Sequence, residues 1–598
     1  MRIRPTLLLL GTALAAPILS ASELVQAHPT FGTASENSLL AHIQVLASDD
    51  FEGRAPGTPG EAKTVAYIEQ QFRRLGLKPG NPDGSYVQTV PMRGQHATPR
   101  FSYQGGAQPV QLRFPDDFVA YASGTEDQLA LRDSELVFVG YGVVAPEYGW
   151  DDYKGADLRG KTLLMLINDP ALPDPRDPSR LDPAMFRGEA MTYYGRWNYK
   201  YESAAQQGAA AALIVHETKP AAYPYEVVRN GALAERFSLL DDGTADGPPV
   251  PGWIHLDKAK ELVAAAGYDF EALKQAALSR DFRPISLKAQ ASFEVSSQSR
   301  SLNSQNVVGL IEGSDPLLKH DYIIYSAHWD HFGIDERLPG PRSRQIYHGA
   351  LDNASGVGAL LELAKAYQAL PQRPKRSILF LATTAEESGL LGAKYYGNYP
   401  LYPLARTIAN INIDGINAWG RTAQIENVTS GHSTLDEVLA RHALAQGRSM
   451  APDARPELGS FYRADQLEFA RQGVPVLYTK SRSGYIGKPD NYAREVVDYY
   501  VAHDYHKVSD EVRDNWDFSG GLEDIELLFR VGQELARAAP GRNGIPRPSS
   551  ALCAPPCAPS RKRKKPAKAG FLHSYNRNYS AVGASSTAVT SGRSSSST

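Results

Sequence analysis

The sequence predicts an α/β fold with a mixed, mostly parallel sheet flanked by helices. It also predicts a second, β-rich unit, inserted in the chain before most strands of that sheet. After about residue 306, short apolar runs alternate with stretches of helical periodicity, whereas apolar strands dominate from about 134 to 283. At 598 residues the chain is also longer than the roughly 250–300 residues at which a single core stops growing. The composition, 42% hydrophobic and 22% charged, is that of a globular protein.

The strands are predicted where apolar runs of five to seven residues stand between turn-forming residues. They cover 135–140, 161–167, 211–215, 307–311, 322–326, 377–383, 407–413 and 474–478. Helical spacing of apolar residues predicts helices at 353–370 and 522–538, and two more between 35 and 77 around a Pro- and Gly-rich loop at 51–60.

One segment of the β-rich unit, 140–145, matches a dinucleotide-binding fingerprint with Ala in its last position. Pro146 and Gly149 follow where the phosphate-binding helix should continue. We therefore predict an ordinary glycine turn.

The first residues have the pattern of a secretory signal peptide, predicted to cover 1–27. Arg2 and Arg4 precede an apolar stretch, 7–19, and small residues follow it. The apolar stretch is shorter than the roughly 20 residues that a membrane span needs, although a retained membrane anchor is the alternative. We expect a secreted or periplasmic protein with no membrane span after cleavage.

The residues from 541 to 598 are predicted to be a disordered tail rich in Pro, Ser, Ala and Lys. It contains both cysteines, Cys553 and Cys557, so no cysteine can serve as ligand or nucleophile in the folded body. After Glu534 there are eleven Lys or Arg and no acid; subtracting them from 63 leaves 52 basic against 66 acidic residues. No nucleic acid is expected to bind this acidic body, and the basic run 561–565 is either a solvated tail or a polyanion contact.

Candidate chemistry begins at His328, directly after a predicted strand, where α/β sheets build their sites. It is either a metal ligand or a core histidine, and Asp330 could fix its tautomer. Asp352 precedes the predicted helix at 353–370 and is either its N-terminal cap or a group that bridges two cations. Since Asn353 can cap the helix, Asp352 is free for the second role.

The next two strands also end in acids. Glu386 and Glu387 follow 377–383, and Asp414 follows 407–413. Adjacent carboxylates there indicate either a cation or the solvated start of a helix. His506 offers a second imidazole, with His503 as its rival.

Together these histidines and carboxylates make a nitrogen and oxygen ligand set that suits paired zinc better than iron–sulfur or structural zinc sites. A serine triad is disfavoured, because no Gly-x-Ser-x-Gly elbow follows any of these strands.

The ordered motifs resemble the M28 family of co-catalytic zinc peptidases. His-x-Asp, Asp-Asn-x-Ser-Gly, Glu-Glu-x-Gly-Leu, Asp and Tyr-His occur in sequence, and Gly53-Arg54-Ala55-Pro56-Gly57-Thr58 resembles the family's N-terminal part. The resemblance covers about 35–125 and 295–540 and implies a discontinuous peptidase domain. Residues 130–290 resemble the protease-associated domain that is often inserted in this family.

The resemblance implies two zinc ions per chain, bridged by Asp352. His328 and Asp414 would complete one zinc site, Glu387 and His506 the other. Glu386 would be the general base and Asp330 the acid behind the first histidine. It further implies an exopeptidase that acts on peptides, most simply an aminopeptidase that uses a hydroxide bridging the metals. The sequence does not predict an oligomeric state.

Three alternatives stay open at this point. A carboxypeptidase of the glutamate-carboxypeptidase type would need basic residues near the substrate carboxylates, and Arg463, Lys480 and Arg482 are the candidates. A glutaminyl-cyclase-like protein fits less well with a complete two-metal set, and a non-catalytic peptide-binding scaffold fits less well with Glu386 in place. The chain has Ala464-Asp465-Gln466 where relatives often have Ser-Asp-His, which leaves Asp465 only as a weak candidate for substrate contact. Tyr485 is a weak candidate for polarising the scissile carbonyl.

Overall fold

A single long sheet runs through the part of the chain that the computed structural model describes, residues 34–105, 108–240 and 247–538. The predicted signal peptide, 1–27, and the predicted tail, 541–598, lie outside the described residues. Within the described residues, no helix has both the length and the apolar character needed to cross a bilayer.

The strands, in chain order, are β1 Lys78–Pro79, β2 Val87–Gln104, β3 Val110–Leu112, β4 Phe118–Ala120, β5 Gln128–Phe138, β6 Val144–Ala145, β7 Trp150–Asp151, β8 Thr162–Leu166, β9 Pro173–Asp174, β10 Asp177–Leu181, β11 Ala211–His216, β12 Arg236–Leu239, β13 Val250–His255, β14 Ile285–Ile311, β15 Tyr322–His328, β16 Gly333–Ile334, β17 Ile346–Tyr347, β18 Ser377–Thr383, β19 Thr407–Asn412, β20 Gln424–Asn427, β21 Ser449–Ala451 and β22 Val476–Lys480. The α-helices are α1 Glu36–Leu46, α2 Pro59–Arg74, α3 Trp197–Gln206, α4 Thr218–Ala221, α5 Tyr225–Leu233, α6 Leu256–Ala265, α7 Phe270–Ala276, α8 Ser355–Gln368, α9 Leu391–Asn398, α10 Leu435–Ala445, α11 Gln466–Arg471, α12 Tyr499–His503 and α13 Ser519–Arg537.

The C-terminal half of the sheet is mixed and mostly parallel, which confirms the predicted fold class. Strands β18, β15, β19 and β22 are neighbours in that order and run parallel. Strand β14 pairs antiparallel with β18, and β20 pairs antiparallel with β22. Every residue of β15, β18 and β19 is buried, as expected for strands with helices on both faces.

Alternate residues of β15 belong to two different cores, because successive strand residues point to opposite faces. Ile323 and Tyr325 pack with residues of α1, α8 and α13, whereas Ile324 packs with residues of α9 and α11. Helices therefore cover both faces of the sheet.

Most predicted boundaries in this half lie within three residues of the observed ones. Strand 377–383 coincides with β18, and 322–326 continues to His328. The helix predicted from 353 begins at Ser355, since Asp352 and Asn353 have non-helical backbone angles inside the turn Ala350–Ala354.

The N-terminal half of the sheet contains the parallel strands β5, β8, β11 and β13, with β4 antiparallel at the edge. Strands β2 and β14 pair along their length and connect both halves. The dinucleotide fingerprint is a glycine turn: Gly140 and Gly142 have φ of 59° and 62°, and the short strand β6 follows. The boundaries of a separate inserted domain at 130–290 stay a prediction.

Candidate metal centre

Three adjacent parallel strands deliver polar side chains to one edge of the sheet. His328 is the last residue of β15, Glu386 and Glu387 follow β18, and Asp414 follows β19. The carboxyl ends of parallel strands meet at the same edge, which is where α/β folds place their sites. Ligand atoms of His328, Glu386 and Asp414 all lie within 4.8 Å of one another.

Asp352 lies between two histidines and faces one with each carboxylate oxygen. Its Oδ1 is 3.2 Å from His328 Nε2, and its Oδ2 is 3.1 Å from His506 Nε2. On the outer sides, His328 Nε2 is 3.4 Å from Asp414 Oδ1, and His506 Nε2 is 3.2 Å from Glu387 Oε2. The five residues predicted as ligands are therefore brought together as two groups that share Asp352.

The loop that carries Asp352 is fixed by hydrogen bonds on both sides. The Asp352–Asn353 peptide bond is cis. Asn353 Oδ1 accepts from the backbone N–H groups of Gly356, at 3.0 Å, and Gly415, at 2.8 Å, so it ties the start of α8 to the Asp414 loop. The Asp352 N–H donates to Asp510 Oδ2 at 3.1 Å. Asn353 thus takes the capping role, and the Asp352 carboxylate faces the site.

Asp330 supports the site differently from the sequence expectation. Its Oδ1 and Oδ2 accept from the backbone N–H groups of Glu386, at 3.0 Å, and Glu387, at 3.3 Å. His328 Nδ1 is 3.2 Å from the backbone oxygen of Asp330 but 3.7 Å from its carboxylate. The Asp330 side chain therefore positions the Glu386–Glu387 turn directly, and its main chain is the closer partner of the histidine.

Sequence reasoning overlooked His331, a fully buried residue beside Glu387. Its Nδ1 is 2.7 Å from Glu387 Oε1, the oxygen that does not face His506. Ligand atoms of His331, Asp352 and Glu387 lie within 4.8 Å of one another. The sequence feature that could have identified His331 is its position three residues after His328. The rival His503 is exposed on α12, where its ring meets that of Tyr499 edge to face with centroids 4.3 Å apart, and it is in neither group.

The carboxylates are crowded in a way that opposes their ionisation. Burial, together with the charges of Glu387, Asp414 and Asp465, raises the pKa of Glu386 well above its usual range. Burial raises the pKa of Glu387 to about 8. Burial also opposes charge on Asp352, but hydrogen bonds from His328 and His506 hold its pKa well below its usual range.

Such a cluster is costly unless cations compensate it. Two imidazole nitrogens with carboxylate oxygens on either side are the donors that zinc binds in peptidase sites. The residues present therefore fit a pair of zinc ions.

Arg54 lies behind the site with its side chain almost fully buried. Its Nε donates to the Trp329 carbonyl at 2.8 Å, and its Nη1 and Nη2 donate to the carbonyls of His348 and Gly349 at 2.6 and 2.9 Å. A further bond from Nη1 reaches the Leu46 carbonyl at 2.7 Å. One guanidinium thus ties α1 to the loops that carry His328 and Asp352.

The weak candidates from the sequence divide into two groups. Asp465 is buried next to the site: Thr383 Oγ1 donates to its Oδ2 at 2.5 Å, and burial raises its pKa to about 7. Tyr485 is buried elsewhere, where its hydroxyl donates to the Ser481 carbonyl at 3.1 Å.

The two basic residues of β22 and its following loop have internal partners. Lys480 Nζ donates to the Asp414 carbonyl, and Arg482 pairs with Glu426 and Asp453 at 2.9 and 2.7 Å.

Comparison with known proteins gives a family match over the segment that carries the site. Residues 306–527 match peptidase family M28. Aminopeptidase NAALADL1 of Mus musculus is 32% identical over 194 residues, 30% of this chain and 24% of the mouse protein. Aminopeptidase YwaD of Bacillus subtilis is 31% identical over 134 residues, 22% of this chain and 26% of that protein. The matches therefore span about a quarter of these curated relatives.

Among solved structures, the aminopeptidase from Aneurinibacillus sp. strain AM-1 matches with a TM-score of 0.49 and 19% identity over 86% of this chain and 97% of that one. The matched segment of the family, 306–527, includes every predicted ligand and the predicted base. The match of residues 306–527 to peptidase family M28 confirms the resemblance predicted from the motifs.

Proposed function

We propose that this chain is a zinc-dependent exopeptidase with two metals per chain, acting as an aminopeptidase on peptides. The observation that carries the proposal is the position of Asp352 between His328 and His506, at 3.2 and 3.1 Å. A carboxylate whose two oxygens face two separate imidazoles, each with a further carboxylate beside it, is the arrangement that holds a metal pair.

In this proposal His328 and Asp414 hold one zinc ion, Glu387 and His506 hold the other, and Asp352 bridges them. His331 contacts the second oxygen of Glu387 at 2.7 Å and orients it, as hydrogen-bond partners of metal ligands do. Bound zinc lowers the pKa of water from about 15.7 to about 7 and polarises the scissile carbonyl.

Glu386 is the proton carrier. It lies beside His328 and Asp414 but is not needed to complete either ligand set. In this role its carboxylate accepts a proton from the attacking water and passes it to the leaving amine. Asp330 keeps this side chain in place through the Glu386 N–H.

Several relatives are named aminopeptidases, which favours that polarity over a carboxypeptidase. The internal partners of Lys480 and Arg482 also make these two residues poor receptors for a substrate carboxylate. We further propose that the chain is exported, because its first residues have the pattern of a signal peptide. Residues 130–290 are proposed to be a protease-associated insert.

The test combines a panel of free and N-acetylated peptides with the variant Glu386→Gln. Zinc-loaded wild type should release residues from free N-termini only, and chelation should stop turnover. Glu386→Gln should lower kcat by roughly 10²- to 10⁴-fold, while its zinc content stays that of the wild type.

Glu261→Gln is the matched control, since Glu261 is exposed and its partner is Lys258, on α6. It should retain wild-type kcat. Undiminished activity in Glu386→Gln would remove this residue from the role of base, and cleavage of the acetylated peptides would overturn the aminopeptidase polarity.

A further inference from the structure

The turn that carries Glu386 begins and ends in a backbone conformation that residues with a side chain rarely adopt. Ala385, directly before Glu386, has φ of 53°, and Leu390, at the other end of the turn, has φ of 62°. This left-handed region is disfavoured for every residue except glycine, and it persists only where the surrounding structure holds it. The geometry of the turn 385–390 therefore depends on what packs against it.

Two main-chain hydrogen bonds tie the beginning of this turn to the beginning of α9. The Leu391 N–H donates to the Ala385 carbonyl at 3.0 Å, and the Gly392 N–H donates to the Thr384 carbonyl at 2.9 Å. The position of Ala385 is thus linked to that of Leu391, and the side chains of both residues lie in one apolar cluster.

Strand β12, from the segment proposed as a protease-associated insert, completes this apolar cluster. Phe237 and Leu239 are partly buried and pack against it. They are two residues apart on β12, so their side chains point to the same face of the strand. The N-terminal half of the sheet therefore supplies apolar surface to the residue that precedes Glu386. The buried members of the cluster are Val90, Met92, Ala385 and Leu391.

Strand β12 is itself held in place on both sides. All four of its residues pair antiparallel with β2. Glu235, just before the strand, accepts from Arg300 Nε at 2.6 Å and from Arg300 Nη2 at 2.8 Å. Arg300 Nη1 donates to the Gly57 carbonyl at 3.3 Å, and Gly57 lies in the same loop as Arg54. The strand is therefore fixed against two segments that support the metal centre.

We propose that Phe237 and Leu239 are positioning residues for Glu386, acting through Ala385. When their side chains are cut back, Ala385 is free to leave its left-handed conformation, and the Glu386 carboxylate shifts with it. A shift of about 1 Å in a reacting group can lower a rate by roughly 100-fold. This inference rests on the proposed function, since it needs Glu386 as the base, and it gives the N-terminal half of the sheet a role in the chemical step.

The test compares zinc-loaded wild type with Phe237→Ala and with the double variant Phe237→Ala/Leu239→Ala. We expect kcat to fall by roughly 10- to 100-fold, while KM and zinc content stay at their wild-type values because no ligand is touched. Phe237→Leu keeps an apolar contact and should recover most of the lost kcat.

Hydrogen exchange, followed by mass spectrometry, reports on the turn without using activity. In the alanine variants the amides of Leu390, Leu391 and Gly392 should exchange faster than in the wild type, because their bonds to the turn open more often. Their acceptors are the carbonyls of Glu386, Ala385 and Thr384.

Two controls separate positioning from a general loss of packing. Ser238→Ala changes the exposed residue between Phe237 and Leu239 and should match the wild type in kcat and in exchange. Phe282→Leu alters a buried ring of the N-terminal half that belongs to a different apolar cluster. It should lower the free energy of unfolding and leave kcat unchanged.

Wild-type kcat in the double variant overturns the proposal. Faster exchange with unchanged kcat overturns it too, because the packing then serves stability alone, and so does a lower kcat without faster exchange, because the effect then bypasses the turn. If the double variant does not fold, Leu239→Ala decides by the same two readouts.

Failure of the proposed function gives a different result. In that case zinc-loaded wild type turns over neither peptides nor aminoacyl-p-nitroanilides, while the exchange of the turn still differs between Phe237→Ala and Ser238→Ala.

Discussion

Replacing Arg54 with lysine tests whether one guanidinium holds the loops of the metal centre. The substitution keeps the positive charge that faces Asp510, Asp330, Asp352 and Glu387. It removes the fork whose three nitrogens donate to four carbonyls at 2.6–2.9 Å. Any loss of stability in the variant is therefore caused by the changed hydrogen bonds and not by a change of charge.

The size of the effect follows from counting acceptors. A lysine ammonium has a single nitrogen, so we expect it to reach one or two of these carbonyls and to leave two or three of them buried without a donor. Each unsatisfied carbonyl costs about 1–1.5 kcal/mol at the lower end of the usual range. We therefore expect the free energy of unfolding to fall by about 2–4 kcal/mol.

Urea unfolding of the zinc-free protein, followed by tryptophan fluorescence, measures this loss. Arg73→Lys is the control, because Arg73 is exposed on α2, where it pairs with Glu69 and lies over the Tyr86 ring. It should leave the free energy of unfolding close to that of the wild type. If Arg54→Lys unfolds at the same urea concentration as Arg73→Lys, the guanidinium does not clamp these loops.

Two other substitutions, at Asp330 and His331, distinguish residues that position the proposed metal ligands from the ligands themselves. Asp330→Asn replaces one acceptor oxygen with an NH₂ group that faces the N–H of Glu386 or Glu387. We expect kcat/KM to fall by roughly 10- to 100-fold while one or both zinc ions stay bound. A wild-type kcat/KM would show that the Glu386–Glu387 turn needs no carboxylate at position 330. His331→Phe removes the hydrogen bond to Glu387, so competition with a zinc chelator should show roughly 10- to 100-fold weaker binding at one of two sites. Complete loss of one zinc would instead make His331 a ligand.

The fold class and most of its strands could be predicted because each strand is a short, continuous apolar run with a turn on either side. Strand β18 is an example, with seven apolar or small residues that are all buried. The start of α8 was predicted two residues too early, because contacts of Asp352 and Asn353 with Asp510 and Gly415, which are distant in sequence, hold this turn out of the helix.

The group of side chains that the structure brings together could be predicted for a related reason, because each of them stands at a strand end or a loop start with a recognisable motif. Their role as metal ligands stays a prediction. The residues that hold these side chains in place were harder to predict from the sequence. Arg54 lies in a motif that was noticed, but its acceptors are more than 270 residues away for three of its four bonds.

The most direct test of the two-metal centre is a crystal structure of the zinc-loaded protein with anomalous scattering measured at the zinc absorption edge. Two peaks should flank Asp352, one next to His328 and Asp414 and the other next to Glu387 and His506. A single peak, or a second peak bound by His331 with His506 turned away, would contradict the arrangement proposed here.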